Sequence, residues 1–278
     1  MRLIKPSVEI IKQEEYDLNH IFKFIELAGR TCYKSEDRIT EDSAKEFVDR
    51  MIKSGHGAML EHGTVYLTVP NTKINKILII YSYERNPYSK VIWTNDYIYI
   101  TTNYRVIIEH YWIKDLDYIA PPTKFHAKRT TVKFICDRGV SHEFVRHRVF
   151  SFAQESTRYC NYTKDKFNNE LTFIIPCWIK DLEEGNYYAY CEYHNAKHDS
   201  SKEWFAVCMN SELIYTNLIE KRWKPQEARS ILPNSLKTEL IMTGFNSDWQ
   251  HFFELRCAPN AHPQAKELAD MLKDKFNK

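Results

Sequence analysis

Apolar residues recur at helical spacing over residues 16–30, where Leu18, Ile21, Phe22, Ile25, Leu27 and Ala28 share one side of a helix. Gly29 is expected to close or kink it. A second stripe, Ala44, Phe47, Val48, Met51 and Ile52, follows Thr40, a fair N-cap, with Glu41 and Asp42 complementing the positive end of the helix dipole. Gly55 supplies the stop. The period then changes. Residues 65–69 alternate β-branched and apolar side chains before Pro70, and residues 97–101 and 131–136 read likewise, so all three predict strands. Helices are predicted over 103–112 and 138–147, the second directly after a strand, at a junction where ligands often sit.

In the C-terminal half, 171–175 is a short strand stopped by Pro176. From 186 to 222 there is no proline or glycine, and Trp204, Phe205, Val207, Cys208, Leu213, Ile214, Leu218 and Ile219 recur at helical spacing. That predicts a long helix interrupted near Asp199, Ser200 and Ser201. Pro225 suits the first turn of the next helix. Residues 236–243 suit a strand, and 247–256 and 263–276 suit helices, the first with Trp249, Phe252, Phe253 and Leu255 inward. Such a mixture gives an α/β or α+β class. With no repeat, low-complexity tract or linker, the chain reads as one domain over 1–278. The stretch 71–128, punctuated by Asn86-Pro87 and Pro121-Pro122, reads as an insertion.

Composition changes the picture by exclusion. A net charge of +2 gives no global field for nucleic acid or a membrane surface. No apolar run approaches membrane-spanning length and the first residues lack a signal pattern, so the expectation is a cytoplasmic protein without a membrane partner. The 7 cysteines are odd in number and contain no Cys-x-x-Cys pair, which suggests reduced, mostly buried thiols. His194 and His198 lie four apart without the glutamate of a zinc-protease helix, and His56 and His62 are more simply surface or core histidines, so no metal is expected. With only 7 glycines and no Gly-x-Gly-x-x-Gly, a Rossmann turn is excluded as a cofactor site.

The chemistry concentrates in residues 137–162, DRGVSHEFVRHRVFSFAQESTRYCNY. Arg138, Arg146, Arg148 and Arg158 fall there with His142 and His147, interleaved with Ser141, Ser151, Gln154, Ser156 and Thr157. Guanidinium forks and hydroxyl donors together suit an anion, most simply a phosphate ester. The bland alternative is a solvated basic helix face. Against it, Arg146 and Arg148 are two apart and cannot share a helix side, and Val149, Phe150 and Phe152 thread between polar groups as in a partly buried turn. Two other functions fit part of the pattern. A nucleic-acid module would use arginines among aromatic rings but needs a broad basic stripe. A flavin-free nucleotide phosphohydrolase needs clustered metal-binding carboxylates, and no such set is evident.

Arg146-His147-Arg148, seven residues and then Ser156 resemble the signature of the flavin-dependent thymidylate synthases. Glu61-His62 after Ser54-Gly55-His56 is similar to that family's upstream flavin element. The run 226–233 is similar to its nucleotide-binding arginine segment, and residues 252–256 followed by His262-Pro263-Gln264 are similar to its C-terminal block. The resemblance implies a mixed or antiparallel sheet flanked by helices, a homotetramer, and conversion of dUMP to dTMP. Methylenetetrahydrofolate would donate the carbon, FAD would carry the hydride, and NADPH would reduce the flavin.

Carried over residue by residue, the resemblance implies that Glu143, Phe144, Val145 and Arg146 border the nucleotide. Gln154, Glu155, Ser156, Thr157 and Arg158 would line it, with Ser156 and Arg158 on its phosphate and Arg229 arriving from a neighbouring subunit. Arg256 would be catalytic, beside the uracil. FAD would contact His62, Thr64, Arg146, His147, Arg148, Gln154, Asn246 and His251. Two positions depart from the pattern: Glu155 stands where many members carry leucine, and Asn246 fits only after a one-residue slip. Cys160, two residues from Arg158, is the one thiol placed to act as a nucleophile, but a buried apolar role is the expectation. Ser156 lacks an adjacent base.

Overall fold

The computed structural model describes residues 1–71, 82–188 and 197–276. Its centre is a four-stranded antiparallel sheet of β2 (Ser7–Ile11), β6 (Arg129–Asp137), β10 (Lys237–Phe245) and β7 (Ser151–Gln154), in that order. Alternation decides its two faces. Thr238, Leu240 and Met242 of β10 lie with Val132, Phe134 and Cys136 of β6 and Val8 of β2 on one face. That face is covered by α5 (Arg138–Phe144), α8 (Asn246–Arg256) and α9 (Pro263–Phe276). Trp249 and Phe252 of α8 are fully buried there, each contributing roughly 1.5–3 kcal/mol by leaving water. The opposite face carries Lys133, Glu239, Ile241 and Thr243 and meets α1 (Leu18–Tyr33) through Ala28, Ala153 and Ile241.

A second antiparallel sheet, β3 (Thr64–Pro70), β5 (Tyr97–Asn103) and β4 (Lys90–Trp93), packs with α1, α2 (Ser43–Lys53), α3 (Gly57–Leu60) and α4 (Tyr104–Glu109) around a separate core. Two of its strands lie in the stretch expected to be an insertion. A third, small sheet places β1 (Arg2–Ile4) between β8 (Thr172–Ile174), parallel to it, and β9 (Gly185–Asn186). Its core is closed by α6 (Asp199–Glu220) and α7 (Pro225–Ala228). No described helix is long and apolar enough to cross a membrane.

Several expectations are corrected. Helix α1 does not stop at Gly29 but runs to Tyr33, where Lys34 at φ 47° takes the left-handed cap and donates its N–H to the carbonyls of Arg30 and Thr31. Gly29 is there for a close approach: a Cβ would stand 2.4 Å from Cζ of Phe47 on α2. Helix α2 starts at Ser43, because the Thr40 N–H donates to the Ser43 hydroxyl. Gly55 does end it, at φ +71°, with the His56 N–H bonded to the Met51 carbonyl. The predicted 138–147 helix ends at Phe144, since the chain must turn back into β7, an edge strand too short to show a clear alternation. The long helix over 186–222 shrinks to α6, because Asn186 pairs with β1; residues 189–196 lie outside the described residues. Leu255 is 49% exposed rather than inward.

The contact at Gly29 sets a stability test. Gly29→Val should cost about 1–3 kcal/mol through overpacking against the buried Phe47 ring. Urea unfolding checks this; an unchanged midpoint and slope contradict the close approach.

Candidate active site

Strand β6 ends at Asp137, whose carboxylate accepts the Val140 N–H and starts α5. Phe144, at the far end of α5, is buried against Phe134 and Phe252, which turns the neighbouring Glu143 outward. Arg256, the last residue of α8, reaches this place. Its Nε donates to Nε2 of His147 at 2.9 Å, Nη1 donates to the Glu143 carboxylate, and Nη2 donates to the Glu143 carbonyl at 2.8 Å. Three of the five N–H groups of the guanidinium are thus used and two remain for a ligand. For His147 to accept from Arg256 it must be neutral. Burial, then the charge of Arg256 and His251, pushes its pKa down to about 4. The result is a guanidinium held in one orientation by a carboxylate and a neutral imidazole.

The second group follows β7. The Gln154 amide donates to the Ser141 hydroxyl at 2.8 Å, tying the strand end to α5. The Glu155 N–H donates to the Glu239 carbonyl at 2.8 Å, and the Ser156 N–H to the Cys32 carbonyl at 3.0 Å. The chain then turns tightly, with the Arg158 N–H on the Ser156 hydroxyl and the Cys160 N–H on the Ser156 carbonyl. The Arg158 guanidinium lies 5.3 Å from the Tyr159 ring centre. Arg229 donates to the Thr157 hydroxyl at 3.4 Å within the same chain. Within this chain, then, Arg229 stands beside its own Ser156–Arg158 turn. Among the described residues, no hydrogen bond joins this turn to the Arg256 group, and Arg146, Arg148, Arg158 and Arg229 have no carboxylate partner.

The remaining expected residues are dispersed. Val145 is half-buried; Arg146 and Arg148 are exposed on the turn after α5. Asn246, exposed at the start of α8, accepts from the Thr130 hydroxyl at 2.7 Å, and His251 is exposed one turn further on. His62 is fully buried, with Nδ1 2.8 Å from the Thr243 hydroxyl, and burial pushes its pKa down to about 3. His56 instead meets the Tyr33 hydroxyl, so the two histidines do not share a ligand position. Thr64 is buried and accepts from Arg129. The Glu155 carboxylate faces inward, not toward the turn's exposed side, and is 1% exposed. Cys160 is also 1% exposed, and burial beside Glu155 pushes its thiol up to about 12, which removes it as a thiolate nucleophile.

Two features were missed in the sequence. Arg129 binds the Glu61 carbonyl, Thr64 and Ser151, with its guanidinium 5.6 Å from the Phe245 ring centre. It lines a cavity of about 250 Å³ with Thr64, Tyr16 and Gln13. The other is a cluster of the half-buried Lys34, Lys133 and Lys237 with the buried Glu155 and Glu239. Its signal was present: lysine and glutamate two apart in β10, on the side facing α1.

The depressed pKa of His147 gives a prediction. Its folded value lies below the ordinary histidine value, so the stability it contributes is present above about pH 6.5 and is lost as pH falls toward 4. NMR titration should find its imidazole neutral at pH 5; a midpoint above 6 contradicts the neutral acceptor.

Residues 98–278 match the family model described as thymidylate synthase complementing protein. The match begins inside the stretch expected to be an insertion and leaves Glu61-His62 outside it. A protein from Pyrococcus furiosus called flavin-dependent thymidylate synthase is 32% identical over 134 residues, 48% of either chain. One of the same name from Corynebacterium aurimucosum is 23% identical over 247 residues, 88% of this chain and 71% of its own. The similarity thus spans about half the length of the Pyrococcus relative. A crystal structure of the UMP/dUMP methylase PolB from Streptomyces cacaoi, bound with 5-Br dUMP, aligns over 99% of this chain and 92% of its own, at 16% identity and a TM-score of 0.45. With the family model covering well over half of its residues, the chain belongs to the thymidylate synthase complementing protein family.

Proposed function

We propose that this protein is a flavin-dependent thymidylate synthase that methylates dUMP to dTMP, with methylenetetrahydrofolate as carbon donor, FAD as cofactor and NADPH as reductant. The observation that carries this reading is the two-part cation set. Arg256 is oriented by Glu143 and neutral His147, and Arg158 and Arg229 flank a hydroxyl-bearing turn without carboxylate partners. The names of the curated relatives support the flavin and the reaction.

The roles follow from charge. Ser156 and Arg158, with Arg229 beside Thr157, offer hydroxyl and guanidinium donors to a nucleotide phosphate. The two free N–H groups of Arg256 offer a fixed positive charge to the uracil edge, where negative charge gathers as the N3 proton leaves and makes C5 nucleophilic toward the incoming carbon. Because Glu143 and His147 already hold the guanidinium, little reorganisation is needed when that charge develops. Arg146 and Arg148, exposed and without carboxylates, suit the flavin phosphates; Asn246 and His251 offer polar groups to it from α8. Reduced flavin, when bound, supplies the hydride that completes the methyl group. With Cys160 buried and Ser156 lacking a base, the nucleotide is held without a covalent bond to the enzyme.

Among the described residues no hydrogen bond joins the two cation groups directly, and α6 leaves Val207, Leu213 and Ile214 about half exposed. Both facts support self-association, as a homotetramer, in which one subunit's Arg256 group meets another's Ser156–Arg158 turn. Three outcomes test this. The protein should purify yellow or take up FAD, and NADPH should bleach it; no flavin spectrum under any loading condition refutes the reading. Arg158→Ala should weaken dUMP binding by roughly 1.5–3 kcal/mol with flavin binding kept, and Arg256→Ala should lower turnover on the order of 100- to 1000-fold. In mixed oligomers, Arg256→Ala and Arg229→Ala subunits should restore activity together, whereas Arg158→Ala and Arg229→Ala should not; the reverse pattern would assign Arg229 to the subunit that supplies Arg256, and no restoration in either mixture rules out the shared site.

A further inference from the structure

The turn that presents Ser156 and Arg158 is held weakly on its outer side. Arg158 leans on the Tyr159 ring, and the Arg229–Thr157 hydrogen bond is long at 3.4 Å. Its inner side is different. The Glu155 carboxylate accepts from Lys237 Nζ at 2.8 Å and from the Tyr162 hydroxyl at 2.9 Å. Lys237 also binds Glu239 at 2.6 Å, and Glu239 is bound by Lys34 at 2.8 Å and Lys133 at 2.6 Å. The cluster joins four pieces of chain: Lys34 at the left-handed cap of α1, Lys133 on β6, Lys237 and Glu239 on β10, and Glu155. The backbone on either side of Glu155 is hung between the Glu239 and Cys32 carbonyls.

Stability does not explain these charges. Replacing a buried ion pair by apolar side chains is often neutral or stabilising, whereas removing one partner strands the other. What an ion pair supplies and an apolar contact does not is direction. Burial pulls the Lys237 ammonium down, but Glu155 and Glu239 outweigh this and hold it charged. Held between the two carboxylates, it fixes where Glu155 sits, and hence where the next residues emerge.

We propose that the buried contact of Glu155 with Lys237 and Tyr162 is a positioning device for the phosphate-binding turn, acting on nucleoside monophosphate affinity rather than on the chemical step. The inference rests on the proposed reading of that turn.

The test uses Lys237→Met, Glu155→Leu, their combination, and Tyr162→Phe, which keeps the buried ring. Dissociation constants are measured for dUMP and, as the control without phosphate, for deoxyuridine; turnover is measured at saturating dUMP, and amide exchange over residues 155–160 without ligand. Lys237→Met, which strands the Glu155 carboxylate, should weaken dUMP about tenfold and spare turnover and deoxyuridine. Tyr162→Phe should weaken dUMP about threefold. The double variant should recover stability, because no charge is stranded and Glu239 keeps Lys34 and Lys133, yet remain weak for dUMP, because an apolar pair does not fix the direction of the chain there. Exchange over 155–160 should rise in Lys237→Met and stay raised in the double variant; full recovery of exchange and dUMP affinity in the double variant overturns the proposal. A folded Lys237→Met with unchanged dUMP affinity and exchange overturns the proposal. If that variant does not fold, unchanged affinity and exchange in both Glu155→Leu and Tyr162→Phe do so. Wild-type protein that fails to bind dUMP would refute the proposed function, while amide exchange would still decide the positioning role.

Discussion

The pairing of β6 with β10 is the constraint on which the rest depends. It runs nine residues without a bulge, from Lys237 opposite Asp137 to Phe245 opposite Arg129. Because the strands are antiparallel, α5 leaves from one end of the ladder and α8 from the other. Both fold onto the same apolar face, and α8, with eleven residues, travels roughly 16 Å back along it. That length brings Arg256 to Glu143 and His147. A register slip of one residue in β10 would turn Leu240 and Met242 to the other face, away from Phe134, and separate these groups.

The same ladder explains the unusual second face. A sheet buried on both sides normally carries apolar residues throughout. Here Lys133, Lys237 and Glu239 lie under α1, joined by Lys34 and Glu155. Glu239 is held well below the usual carboxylate range: burial opposes its charge, but three lysines outweigh it. The cluster is satisfied almost entirely from within, so its interest lies in what it orients: the last turn of α1 and the turn after β7.

Electrostatics divides the labour among the arginines. Arg256 is paired and oriented, which suits a group acting on developing charge. Arg146, Arg148, Arg158 and Arg229 keep no carboxylate among the described residues, which suits groups awaiting an anion. Arg129 is a third kind. Burial pulls its pKa down to about 10, and it holds the Glu61 carbonyl and Thr64 against the start of β6.

The helical stripes of α1, α2, α8 and α9 and the β-branched and apolar runs of β3, β5, β6 and β10 were legible in the sequence, because the helices bury one side and β3, β5 and β10 are buried on nearly every residue. The residue types of the anion-binding set were legible too, since guanidinium and hydroxyl groups are specific in their chemistry wherever they lie. The short strands β1, β2, β4, β7 and β9 were not, because a few residues carry too little periodicity and depend on partners distant in the chain. Nor could the sequence say that Gly29 admits Phe47, that Glu155 turns inward to Lys237, 82 residues away, or that Arg229 meets Thr157 while Arg256 meets Glu143. Which cation faces which carboxylate is decided by long-range packing, and only the folded backbone brings those atoms within reach.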